Sequence, residues 1–157
     1  IESIKQAIVL LGWKQIKSWL LLVILSDLTP EGGVSELHFL SAIRGKFLEQ
    51  VSVKHELSVL PDTLFLLGLF SLLEPLLEIP IQEVASNLPL DDIITEALCG
   101  QENQYTPWLS LAKSFERGDW EAIDVLVTTL SLDSMIVANA YAEALSWATA
   151  YKEGSEG

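Results

Sequence analysis

Residues 61–73, PDTLFLLGLFSLL, decide the fold. Proline followed by an acid suits a helix start, since the first turn needs no proline N–H and its positive end favours a carboxylate. Leu64, Phe65, Leu66, Leu67, Leu69, Phe70, Leu72 and Leu73 then leave no polar azimuth, so the stretch reads as a helix buried on all sides. Only the eleven residues Thr63 to Leu73 lie between Asp62 and Glu74. A spanning helix wants about 20 apolar residues, so this is core and not membrane. The apolar run Trp19 to Leu25 is shorter still. Gly68 lowers helix propensity by about 1 kcal/mol relative to alanine, and a close helix crossing is the expected reason for it.

Working outward, the 3.6-residue period persists. Upstream, Ser35 to Val53 forms a helix with Leu37, Leu40, Ile43, Phe47 and Val51 inward and a polar opposite face. Ahead of it, Ile4, Ala7, Ile8 and Leu11, then Ile16, Trp19, Leu20 and Val23, predict two short helices parted at Gly12, and LTPEGG at 28–33 is a loop. Downstream, Pro75, Pro80 and Pro89 punctuate short helices. PLDDIITEALCG is a helix with acids in its first turn and Gly100 past its end. Thr106 before Pro107, Asp119 before WEAIDVLVTTL, and Asp133 are predicted N-caps. Trp120, Ile123, Val127 and Leu130 share one face, and Val137, Ala140, Tyr141, Ala144, Ala148 and Tyr151 form the buried stripe of the last helix. KEGSEG at 152–157 is a polar tail expected to fray. No strand-like alternation interrupts this pattern. The prediction is one all-α domain over residues 1–157, a bundle of eight or nine helices.

The chain carries 22 acidic and 9 basic side chains, for a formal charge of −13. Up to residue 56 the two signs balance, so the whole excess lies beyond it. Such a surface repels a phosphate backbone, which excludes nucleic acid as the expected partner. The acids are interspersed at helical spacing, as solvated outer faces are; the remaining reading is a face for a basic partner. The single cysteine, Cys99, forbids an intramolecular disulfide and points to a reducing, cytoplasmic setting. Glu2 and Lys5 enter an amphipathic pattern and not a signal peptide.

Catalytic patterns are missing. His38 and His55 stand seventeen apart, with no His-Asp dyad and no i, i+4 pair. Cys99 has no base near it in sequence and reads as a small buried hydrophobe. Asp91 and Asp92, adjacent on a helix, point about 100° apart and suit its positive end better than an acid–base pair. The glycines form no phosphate cradle. Trp19 and Trp120 are expected in the core; Trp13, Trp108 and Trp147 are not placed by the pattern. No catalytic, cofactor-binding or metal-ligating residue is assigned.

SIKQAIVLLGWKQIKSWL at the start, LFLLGLFSLLEPLLEIPIQEVASNLPL in the middle, and FERGDWEA followed by YAEALSWA resemble, in order, the HDOD domain that follows an EAL domain in bacterial signalling proteins of the YuxH type. HDOD domains are all-α relatives of the HD and HD-GYP phosphohydrolases without the metal-binding residues. The resemblance implies that Ser71 and Leu72 lie roughly where a hydrolase carries its His-Asp pair. Leucine cannot ligate and serine is a poor ligand for a transition metal. It further implies that several helices of the full domain precede Ile1, and that the chain is the C-terminal part of a longer protein. The expected function is therefore a non-catalytic signalling or interaction domain in a cyclic-di-GMP-linked protein, acting on protein partners, an attached EAL domain or a second copy, without cofactor and without membrane insertion. A phosphodiesterase activity would belong to the EAL domain. Two other readings stay open: a small-ligand or nucleotide sensor with a tryptophan-lined pocket, and a degenerate metal-dependent phosphohydrolase using His38, His55 and second-half carboxylates.

Overall fold

The computed structural model describes residues 35–56, 58–86 and 90–155. The two helices expected before residue 28, the loop at 28–33, Trp13 and Trp19 lie outside them. Among the described residues there are eight helices and no strand, in agreement with the all-α prediction. They are α1 (Ser35–Lys54), α2 (Pro61–Phe70), α3 (Leu73–Leu77), α4 (Ile81–Ser86), α5 (Asp92–Leu98), α6 (Thr106–Arg117), α7 (Trp120–Thr129) and α8 (Ser134–Ser155).

The spine is α1. It packs chiefly against α2 and α8, with α6 and α3 completing its surround. Ile43, Phe47 and Val51 are buried as the period predicts, but the expected polar outer face does not exist: every residue from Ser41 to Glu49 is buried. Period alone misassigns this helix because its polar residues find partners inside the protein. Ser41 Oγ donates to the Leu69 carbonyl, Ser52 Oγ donates to that of Val59 at 2.7 Å, and Lys46 Nζ meets Glu49 Oε2 at 2.6 Å while lying 5.3 Å from the centre of the Trp147 ring. Burial without such partners costs about 1–3 kcal/mol per polar group. Among the described residues, no buried side-chain nitrogen or oxygen lacks one.

Gly68 of α2 sits where the sequence required a close crossing. A Cβ there would stand 2.5 Å from the carbonyl carbon of Arg44 and 2.6 Å from the amide nitrogen of Gly45. The approach is reciprocal, since a Cβ on Gly45 would meet the Phe65 carbonyl oxygen at 2.9 Å. Two glycines thus let two backbones touch. Leu64, Phe65, Leu67 and Leu69 of α2 are buried around this point, while Leu66 and Phe70 are half-buried.

The expected helix to Leu73 stops at Phe70. Pro75 explains the break, because within a continuous helix its ring would collide with the carbonyl of residue 71 and it has no N–H to offer. The chain turns at Ser71 and Leu72, restarts as α3, and leaves it through Glu78 in the left-handed region (φ 57°). In α5 the first-turn acids Asp91 and Asp92 are exposed, and Gly100 follows its end with φ +85°.

Two predicted caps are present. Asp119 Oδ1 accepts from the Ala122 amide at 3.1 Å and Asp133 Oδ1 from that of Ile136 at 2.9 Å. Asp119→Ala and Asp133→Ala are each expected to lower stability by about 1 kcal/mol in urea titrations, with Asn in the same place restoring most of it. Thr106, by contrast, is not the cap of α6. Tyr105 holds that position, and the Thr106 hydroxyl turns back to accept from the Asn103 amide and donate to the Gln101 carbonyl. Asn103 fixes the same loop by donating from Nδ2 to the Ile93 carbonyl and accepting from the Tyr105 amide.

Along α8, Val137, Ala140, Ala144 and Ala148 are fully buried and Tyr141 half-buried; the side chain of Tyr151 lies outside the described residues. The helix runs to Ser155, so the backbone of residues 152–155, expected to fray, is helical.

Candidate functional site: a buried ion pair beside Ser71

Arg44 lies midway along α1, at the Gly45–Gly68 crossing, with its side chain 7% exposed. Its fork reaches α6. Nε donates to Glu116 Oε1 at 2.6 Å and Nη2 to Oε2 at 2.8 Å, a two-point pairing that holds both planes in register. The remaining arm, Nη1, donates to Ser71 Oγ at 2.9 Å, and that hydroxyl donates to the Gly68 carbonyl at 2.7 Å. Thus α1, α6 and the end of α2 converge on one charged knot. Leu72 is half-buried against the core beside it.

Aromatic rings wall the knot. Phe115, next to Glu116, packs on Phe47 at 5.1 Å and on Tyr141 at 4.9 Å between ring centres, and Phe47 meets Tyr141 edge-on at 5.2 Å. Burial first, and the Glu116 carboxylate second, push the Tyr141 phenol above its ordinary value, with Arg44 pulling the other way. A phenol whose ionisation is deferred in the folded state contributes stability that is complete below its unfolded value and fades as pH rises through its folded one. In Glu116→Gln one raising influence goes and the lowering one stays, so tyrosinate absorbance attributable to Tyr141, isolated by comparison with Tyr141→Phe, is expected to appear at lower pH than in the parent.

The other residues singled out from sequence do not converge here. His38 is half-buried in the first turns of α1, and His55 lies just past its end. His55 Nε2 accepts from the Asp133 amide at 2.9 Å and Nδ1 lies 3.0 Å from the Val51 carbonyl, so the ring that satisfies both is the Nδ1–H tautomer, joining the end of α1 to the start of α8. Cys99 is a half-buried free thiol at the end of α5. Among the described residues no three His, Cys, Asp or Glu side chains are grouped to hold a metal ion.

Trp120 overturns an expectation. It is 67% exposed at the first position of α7, touching Phe115 edge-on at 6.4 Å, while its face-mates Ile123 and Val127 are buried. The first residue of a helix extends past the neighbour that covers the next turn, so a shared azimuth did not bring shared burial. Trp108 is buried and Trp147 half-buried. The pairing of Arg44 with Glu116, 72 residues apart, left no local signal; an arginine in a helix otherwise rich in inward leucine and phenylalanine is the one hint.

The chain is similar to YuxH. That Bacillus subtilis protein is 38% identical over 149 residues, which are 94% of this chain and 36% of YuxH. The Vibrio cholerae protein named cyclic di-GMP phosphodiesterase CdgJ is 29% identical over 147 residues, 94% of this chain and 34% of CdgJ. The chain therefore spans about a third of the length of these curated relatives. No family model and no solved structure matches it.

Proposed function

We propose that the chain is a non-catalytic signalling module of the HDOD kind, working through protein contact in the cytoplasm as part of a cyclic-di-GMP-linked protein. The observation that carries this reading is Arg44. A metal-dependent hydrolase would need a cation beside Ser71 and Leu72, where a guanidinium with its own carboxylate stands instead. A fixed positive charge disfavours a divalent ion at that distance, and Glu116, already bidentate to Arg44, is a poor candidate to ligate one. The likeness to YuxH and to the protein named a cyclic di-GMP phosphodiesterase supports the signalling context. As each relative is about three times longer, the reading assigns phosphodiester hydrolysis to a part of such proteins that this chain does not match.

The test is made on the purified chain. It is expected to contain no stoichiometric divalent metal by elemental analysis and to leave cyclic di-GMP unhydrolysed with magnesium, manganese or iron added. Turnover that disappears with a chelator and with His38→Ala and His55→Ala would establish the degenerate-hydrolase reading instead. In the full-length protein, disrupting this domain with Glu116→Ala is expected to change the rate of cyclic di-GMP turnover; an unchanged rate in a protein that still hydrolyses it would remove the regulatory role.

A further inference from the structure

We infer that the solvent half of α7 is a docking surface for a cationic amphipathic segment of a protein partner, with Trp120 as its anchor; this rests on the interaction-module reading above. One short helix, of 10 residues, carries the features that matter. Trp120 and Val125 are 67% and 65% exposed, and Glu121, Asp124, Thr128 and Thr129 are exposed with them, while Ala122, Ile123, Leu126, Val127 and Leu130 face the protein. Trp120 therefore stands exposed at the edge of the outer half, on the azimuth of the buried Ile123 and Val127, and that half is not simply wet. It presents an indole and an isopropyl group among carboxylates, with no cation of its own.

Charge selects the partner. The carboxylates of Glu121, Asp124 and the capping Asp119 are of one sign, on a chain of net charge −13. A phosphate backbone or an anionic membrane would be repelled, and so would a second copy presenting the same face. A segment carrying lysine or arginine beside apolar side chains complements both features at once. The cations of this chain nearest in sequence, Lys113 and Arg117, are on α6 and not on this face. Tryptophan is the residue type that most often anchors interfaces, because it buries a large rigid surface and keeps an N–H for a rim hydrogen bond.

The anchor is also connected inward. Trp120 rests edge-on against Phe115, and Phe115 adjoins Glu116, the partner of Arg44. Seating a side chain on Trp120 therefore bears on Phe115 and, through it, on the ring stack with Phe47 and Tyr141.

The probe is a synthetic helical peptide made of Leu-Lys-Lys-Leu repeats, titrated into the isotope-labelled 157-residue chain and followed by NMR. The Trp120 indole and the amides of Glu121, Asp124, Val125 and Thr128 are expected to shift first. Trp120→Ser and the charge reversal Glu121→Lys/Asp124→Lys should each weaken binding about tenfold or more, with circular dichroism unchanged, and a Ser-Lys-Lys-Ser peptide of equal charge should bind at least about tenfold more weakly. Shifts spread over the acidic helices, equal binding of the two peptides, unaltered affinity in Trp120→Ser, or tighter binding to phosphatidylglycerol vesicles would each overturn the proposal. A chain that hydrolysed phosphodiesters would defeat the earlier reading while leaving this binding result to stand or fall by itself.

Discussion

Gly68→Ala is expected to destabilise the domain by about 2–3 kcal/mol, although alanine is the better helix former. Intrinsic propensity favours the substitution by about 1 kcal/mol. Against it stands a methyl carbon 2.5 Å from the Arg44 carbonyl carbon and 2.6 Å from the Gly45 nitrogen. These are backbone atoms in the middle of the longest buried run among the described residues and cannot swing aside as a side-chain tip would. Relief requires α1 and α2 to separate, which loosens the packing of Leu64, Phe65 and Leu67 and strains the Arg44 fork anchored beside them. Overpacking typically costs about 1–3 kcal/mol and occasionally more, and rigid backbone on both sides of the clash puts this site at or above the upper end, so a net loss remains after the propensity gain. Gly45→Ala should cost less, because part of its clash is with the Phe65 ring, which lies at 3.2 Å. Urea unfolding decides it: a Gly68→Ala midpoint at or above the parent's would show that the two backbones do not touch.

The second large effect concerns the knot. Glu116→Ala leaves a guanidinium that is almost fully enclosed with Ser71 as its remaining hydrogen-bond partner among the described residues, and the loss of one partner from a buried pair costs about 3–5 kcal/mol. Replacing both partners, as in Arg44→Leu/Glu116→Leu, is expected to recover most of that, since no charge then remains to be hydrated. A cycle built from Arg44→Leu, Glu116→Leu and the double variant should therefore be strongly non-additive. Additive losses, or a Glu116→Ala cost below about 1 kcal/mol, would mean that water reaches the arginine and that the pair has the small worth of a surface contact.

What the sequence disclosed and what it hid divide along the range of the interactions. The caps at Asp119 and Asp133, the glycine beyond α5, the all-apolar α2 and the reason for Gly68 were legible because each depends on a few consecutive residues and on backbone geometry common to all helices. Leu73 was misplaced at the end of α2 because Pro75, which breaks the helix, acts four residues upstream of itself. Thr106 had the residue type of a cap, but the Asn103 turn claimed its hydroxyl. The inward turn of Arg44 was illegible: polarity gives the cost of burial, and only the tertiary partner 72 residues away shows how that cost is met, whereas Lys46 and Glu49, three apart on α1, had a partner in reach but no local sign that the pair would be buried. Trp120 erred the other way, being apolar in composition yet placed at a helix start where, among the described rings, Phe115 meets it edge-on and two thirds of it stays exposed.

The burial of α1 on every side between Ser41 and Glu49 has a bearing on how force and heat are shared through the domain. A helix with a wet face can unwind by a turn and lose little, whereas here release of α2 or α6 would uncover Ser41 or Arg44, whose partners among the described residues include the Leu69 carbonyl on α2 and the Glu116 carboxylate on α6. The described helices around α1 should therefore exchange their slowest amide protons in concert, through one global opening, and a disturbance imposed at one end should arrive at the other as displacement of a rigid body and not be absorbed along the way.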